Sequence, residues 1–276
     1  MGIGEIRVRK TILIATGLSA LAWAQEPEKI TMPFSNPAAP HKVNVDVFSG
    51  SVTVKGYEGK DVLVEYSGGG FPGPRRRAQE PAPTGMHRIG GNRAFDVSES
   101  SNTVTVKAGG PWGSDVTIQT PVDTSVTVTT LNGRQISIDN ISGEIEANNT
   151  NGAVNITNAS GAVVAHSMNG RVVASLNRVP PDKMMSFSTM NGTVDVTLPA
   201  DAKATFKMRA DNGDIFSDFD VKLEAQSAPQ VVEEKDRKGN TRRRVRTDGT
   251  QTGSINGGGP EMQFTTFNGR IVIHKK

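Results

Sequence analysis

No cysteine occurs anywhere in the 276 residues. That excludes disulfide staples, thiolate metal sites and a lipid-modified N-terminal cysteine. Aromatic residues make up only 5% of the chain, too few for the stacking platforms that read sugars or nucleic-acid bases. Hydrophobic residues reach 35%, low for a globule and suited to a thin body with a narrow core. Long apolar runs are missing as well. The one candidate, Ile12 to Leu21, falls well short of the roughly 20 residues that cross a bilayer.

That run fits an export signal instead. Arg7, Arg9 and Lys10 precede it, and Ala22-Trp23-Ala24 follows as a small-x-small cleavage site. An N-terminal membrane anchor is the rival reading, and the shortness of the run argues against it. Removing residues 1–24 takes away three bases and one acid, so the formal net charge falls from +3 to +1. Much of the basic excess therefore belongs to the signal, and nucleic acid is not an expected partner. The expected mature chain is exported to the periplasm, cell surface or extracellular space, with no transmembrane span.

What the sequence has in place of aromatics and cysteine is glycine, 30 of them, set in a recurring phrase. Asn-Gly or Ser-Gly is followed by alternating apolar residues at Gly133, Gly143, Gly152, Gly161 and Gly170, with spacings of 10, 9, 9 and 9 residues. Asn-Gly returns at Gly192, Gly213, Gly257 and Gly269. After each central glycine the second and fourth residues are apolar or small: Ile145 and Ala147, Val154 and Ile156, Val163 and Ala165, Val172 and Ala174. Alternation of this kind puts them on one side of a strand and Glu144, Glu146, Asn155 and Thr157 on the other. A further apolar or small residue recurs two positions before the glycines, as Leu131, Ile141, Ala159, Met168 and Met190.

A fixed short period means stacked copies of one unit. The expected fold is all-β, a single-chain β-solenoid of the β-helix or β-roll kind. Its coils are about 19 residues long, two short strands each, with Asn-Gly corners on one edge and Ser-Gly corners on the other. Glycine is expected at the corners for its access to positive φ. Asn132, Asn151 and Asn169 would then stand above one another and bond through their amides. An array of antiparallel hairpins is the competing reading, since Asn-Gly also favours hairpin turns, but hairpins have no reason to hold a constant nine-residue phase.

Along the chain, residues 25–42 read as a flexible leader and 43–276 as the solenoid domain. Residues 67–93 read as a mobile insertion, with Gly68-Gly69-Gly70, Arg75-Arg76-Arg77 and four prolines. Larger side chains such as Phe187, Phe206 and Phe264 collect toward the C-terminal end, and Phe264 to Ile273 supplies the closing strands. Residues 231–246 read as a charged hairpin, with Glu233, Glu234 and Asp236 facing Arg242, Arg243, Arg244 and Arg246. Arginine forks suit phosphate and carboxylate, so these four arginines are the candidate contact with an anionic surface; internal pairing with the acids is the alternative.

Catalytic signals are thin. The four histidines, His41, His87, His166 and His274, show no metal-ligand spacing, and they read as solvated. No Gly-x-Ser-x-Gly elbow is present. Asp211-Asn212-Gly213-Asp214 has oxygen ligands for calcium but reads more simply as another corner. Glu144 and Glu146 point the same way from one strand, the arrangement a glycosidase needs, without a basic residue nearby in sequence. No catalytic residue, cofactor or metal is assigned.

The export signal, the Asn-Gly and Ser-Gly corners at half-coil spacing and the closing Phe267-Asn268-Gly269-Arg270-Ile271-Val272-Ile273 segment together resemble the putative adhesin family of bacterial exported β-solenoid proteins. The resemblance covers residues 43–276 and is strongest over 126–198. It implies an envelope or surface location and carries no functional residue across. The function expected is a non-catalytic exported scaffold that binds an envelope glycan, a lipid headgroup or a surface protein. The alternative is a polysaccharide-active β-helix enzyme acting on an acidic glycan through Glu144 and Glu146.

Overall fold

A computed structural model describes residues 28–68, 95–109, 113–224, 230–235, 241–246 and 249–276. The described residues contain strands and turns and no helix. In chain order the strands are β1 (Glu28–Pro33), β2 (Lys42–Tyr57), β3 (Asp61–Gly68), β4 (Phe95–Ser100), β5 (Thr103–Ala108), β6 (Ser114–Pro121) and β7 (Ser125–Asp139). Then come β8 (Ile145–Asn151), β9 (Ala153–Ala159), β10 (Val163–Asn169), β11 (Val172–Leu176), β12 (Met185–Asn191), β13 (Val194–Leu198) and β14 (Ala204–Asn212). The last seven are β15 (Ile215–Ser217), β16 (Lys222–Leu223), β17 (Gln230–Lys235), β18 (Thr241–Arg246), β19 (Gln251–Ile255), β20 (Glu261–Asn268) and β21 (Ile271–Lys275).

The central strands stack in parallel as a solenoid with two faces. On one face β7, β8, β10 and β12 lie side by side, with Val126 beside Ile145 and Ile145 beside Val163. On the other, β7, β9, β11 and β13 do the same, with Ile136 beside Val154, Val172 and Val194 in turn. Strand neighbours are 19 residues apart at Val126 and Ile145, then 18 at Ile145 and Val163. Gly143, Gly152 and Gly161 therefore sit at corners between parallel strands and not at hairpin tips. The alternation of each strand follows from the Val-x-Val and Ile-x-Ile pattern, whose apolar members are buried between the faces while their neighbours look outward.

That narrow core changes composition along the stack. Ala147 and Ala165 fill one column near the middle, and Phe187 and Phe264 continue it. There Phe187 and Phe264 stack at 5.5 Å, and Phe206 meets Phe264 edge-on at 5.3 Å.

Coil order departs from chain order at both ends. β2 passes through both faces and lies between β5/β6 on one side and β7 on the other. At the far end, β20/β21 lies between β12/β13 and β14/β15. The strands expected to close the stack are thus interior ones. The outer coils are finished by antiparallel strands: β4 on β5, β3 on β6, β1 on β3, and β19 on β14. β1 and β4 each pair on one side only and are short, six residues each, which limits their use as aggregation templates.

Two expectations about the N-terminal side need correction. Residues 25–42 are not a flexible leader throughout, because Glu28–Pro33 is strand β1 and pairs with β3 from Glu28↔Tyr66 to Pro33↔Asp61. Phe34 and His41 are buried, and their rings meet at 4.4 Å. His41 is accordingly not solvated; its Nδ1 lies 3.0 Å from the Ala39 carbonyl, and its Nε2 has no hydrogen bond. The expected signal peptide lies outside the described residues, as does nearly all of the expected 67–93 insertion.

Candidate functional site

The Asn-Gly corners make one continuous edge. At each corner the asparagine side chain donates from Nδ2 to Oδ1 of the asparagine on the adjacent coil. The chain runs Asn212 to Asn268 (3.0 Å), Asn268 to Asn191 (2.8 Å), Asn191 to Asn169 (2.8 Å), Asn169 to Asn151 (2.9 Å) and Asn151 to Asn132 (3.0 Å). Just inside it, Ser167, Thr189 and Thr266 are buried and donate to the carbonyls of Gly152, Gly170 and Gly192. Gly152 and Gly269 have the expected positive φ, but Gly133, Gly170, Gly192 and Gly213 do not and are needed for closeness. A Cβ on Gly170 would stand 2.2 Å from the Gly152 carbonyl oxygen, and one on Gly192 would stand 2.3 Å from that of Gly170, although neither has a positive φ.

On one shoulder of this edge, the residue two before each glycine projects outward. Phe48, Leu131, Met168, Met190 and Phe267 occupy this column, each 43–48% exposed. The registers place Phe48 beside Leu131, Met168 beside Met190, and Met190 beside Phe267. Thr150 holds the rung between Leu131 and Met168. These five are a majority of the nine large apolar side chains exposed among the described residues. The equivalent positions at the Ser-Gly corners, Ile141 and Ala159, are buried.

The other shoulder is basic. Arg134, Arg171 and Arg270 each follow a corner glycine and are exposed. Arg134 is paired with Asp115 at 2.8 Å; Arg171 and Arg270 have no ion-pair partner among the described residues. At the β2 end, Phe48 and Leu131 also line a groove of about 550 Å³, together with Asp46, Asp96, Lys107 and Thr150. The sequence pattern marked Leu131, Met168 and Met190 as recurrent but not as an outward column. The available signal was that the residue before each of them, Thr130, Ser167 and Thr189, is the polar one turned inward.

The arginines singled out in the sequence lie elsewhere. Arg242, Arg243, Arg244 and Arg246 are on β18, which pairs antiparallel with β17 so that Glu234 is opposite Arg242 and Glu233 opposite Arg243 along the backbone. Asp236 and the side chains of this hairpin lie outside the described residues.

Glu144 and Glu146 are both exposed beside a shallow groove. Glu144 pairs with Lys183 at 3.1 Å, a basic neighbour that sequence proximity did not reveal, and Glu146 accepts a bond from Asn148 at 3.1 Å. Of the two outward histidines described, His166 lies 2.9 Å from Ser188 Oγ. His274 stands between Asp218 (3.1 Å) and Asp195 (3.7 Å). Its hydrogen bond, with a second from the Lys275 amide, holds the Asp218 carboxyl below the usual aspartate range. Asp211 is taken by Arg209 at 2.9 Å. No cluster of three or more metal-ligating side chains occurs among the described residues.

The fold and edge define an all-β, solenoid-like repeat protein. The chain belongs to the Toastrack DUF4097 family, whose model matches residues 29–252. Among solved structures it is similar to a putative cell adhesion protein from Clostridium sporogenes, at 13% identity and a TM-score of 0.46, covering 91% of this chain and 100% of that one. It is also similar to a putative adhesin from Bacteroides fragilis, at 12% identity and a TM-score of 0.36, covering 92% and 98%. Comparison with curated proteins gives no match.

Proposed function

We propose that this protein is a non-catalytic, exported scaffold of the cell envelope or cell surface, an adhesin-like module that binds its partner through the Asn-Gly edge. The observation that carries this reading is the column of half-exposed Phe48, Leu131, Met168, Met190 and Phe267 beside three exposed arginines. Contiguous apolar surface on a polar body marks an interaction site. The corners are also fixed by hydrogen bonds from rung to rung, so the contact residues are presented on a rigid support. Export rests on the basic stretch, apolar run and Ala22-Trp23-Ala24 site. The four arginines of β18 are a second contact of the same kind, directed at anionic groups.

Retention on isolated cell envelopes tests the reading. The protein should sediment with envelopes at low salt, and changing Arg242, Arg243, Arg244 and Arg246 to Ser should weaken that retention. Unchanged retention would remove the hairpin from the proposal. The enzymatic alternative requires turnover of an acidic glycan that Glu144→Gln or Glu146→Gln abolishes. The Lys183 pair and the exposure of both carboxylates speak against it, since a catalytic acid needs a desolvated site to hold its proton near neutral pH.

A further inference from the structure

We infer that the partner of the Asn-Gly edge is the surface of an anionic phospholipid bilayer, with the solenoid lying along the membrane. The inference rests on the scaffold reading above and names the partner of the same site. Three features of the edge fit a lipid surface. The column spans six rungs, about 24 Å at the strand spacing of about 4.8 Å, with five apolar side chains and Thr150 on the third rung. The five are long or flat side chains that can enter the boundary between headgroups and acyl chains.

Next to it, Arg171 and Arg270 stand on alternate rungs, about 10 Å apart. Both are free of ion pairs among the described residues, and Arg134 continues the row from a corner where Asp115 neutralises it in part. Acids stand at the two ends of the edge, Asp46, Asp96 and Asp115 near Phe48 and Arg134, and Asp211 and Asp214 beyond Phe267 and Arg270. Asp195 lies on the rung between Arg171 and Arg270, two residues in from the corner, where it meets His274 at 3.7 Å. An apolar strip flanked by arginine is the arrangement that seats a protein in a charged interface.

The crest between the two columns is polar, but its amides already bond to one another from Asn212 to Asn132. Side-chain groups that are satisfied in advance lose less when water is displaced. Shape separates a bilayer from a second copy of the chain. Two narrow crests meeting edge to edge would bury less than the roughly 1,000 Å² that a specific interface needs, whereas lipids close around a ridge from both sides.

Sedimentation of the purified protein with vesicles tests this. Vesicles of three parts phosphatidylcholine to one part phosphatidylglycerol should bind it, and pure phosphatidylcholine vesicles should bind it far less. Added salt should weaken the first. Arg171→Ser with Arg270→Ser should lower affinity for the anionic vesicles by about 30-fold, at roughly fivefold per basic residue. Met168→Ser with Met190→Ser should weaken it as well. All four positions are exposed, so melting temperatures should stay near the parent value.

Equal binding by either double variant would overturn the assignment. A wild-type protein that ignores vesicles but dimerises through Met168 and Met190 would make a second copy the occupant. Retention on envelopes without vesicle binding would overturn the lipid assignment and leave the scaffold reading intact. Failure of both would end both.

Discussion

Six asparagines in one column mean six identical polar groups brought to about 4.8 Å spacing, and a column like that has a direction. Each Nδ2 donates toward the Asn132 end, so Asn132 accepts from Asn151 and donates to no asparagine, while Asn169 does both. An aspartate can accept but cannot donate. Asn132→Asp should therefore leave stability within about 0.5 kcal/mol of the parent. Asn169→Asp loses the bond to Asn151 and sets a charge against its oxygen, which should cost about 1–2 kcal/mol. Denaturant melts of the two variants compare them directly, and equal losses would mean that the ladder has no such direction. Below these amides, positive φ, the reason legible in sequence, holds at Gly152 and Gly269 but not at Gly133, Gly170, Gly192 and Gly213. Gly170 and Gly192 are placed by the carbonyl of the coil beneath, a contact between residues about one coil apart that no local turn signal encodes.

At the scale of strands, the repeat from Leu131 to Leu176 could be read almost directly, because each coil obeys the same alternation and the nine-residue phase fixes its neighbour. Val154 and Ile156 on β9 are fully buried between β7 and β11. Placing Asp at either position strands a charge in the core, at a cost of at least about 4 kcal/mol, large enough to unfold a marginal domain. Loss of the strand signal in circular dichroism at room temperature checks this; a normal melt would show those side chains facing outward. The outward column Phe48 to Phe267 was harder to see, since a two-period pattern assigns alternate sides within a strand but does not say which side holds at the corner. There Thr130, Ser167, Thr189 and Thr266 turn inward because they can bond a glycine carbonyl or a buried asparagine, and the apolar residue that follows each is left outside.

A different strand-to-strand link is electrostatic. Asp218, which follows β15, is held to His274 on β21 with its carboxyl pKa lowered by that hydrogen bond. A lowered folded value means the bond stabilises above the unfolded aspartate pKa of about 3.9 and fades as pH falls through the folded value. Melting temperature should thus fall on acidification below about pH 4, and less steeply in Asp218→Asn. Identical slopes would show that the contact contributes nothing.

For the whole molecule the decisive fact is that chain order and stacking order differ. A periodic sequence says that coils stack, but every coil offers the same ladder to its neighbour, so period alone cannot say which coil follows which. Side-chain bulk matches the order found: Phe264 of β20 touches both Phe187 of β12 and Phe206 of β14, the three largest fully buried side chains described. Placing β20/β21 inside the stack also makes the C-terminal segment a wedge between two coils that are already joined in sequence. In a solenoid stacked in chain order, deleting residues 261–276 would remove a terminal coil and spare the rest, because each coil would depend only on the one before it. In this arrangement the same deletion takes both neighbours' partner at once. β14, β15 and β19 should lose amide protection with it, and β12 and β13 should become an exposed, aggregation-prone edge, while β7 to β11 keep theirs. Hydrogen exchange read by mass spectrometry distinguishes the two cases. Protection retained across β14 and β15 in the truncated chain would show that this coil stands without its C-terminal neighbour and that the stacking order described here is wrong.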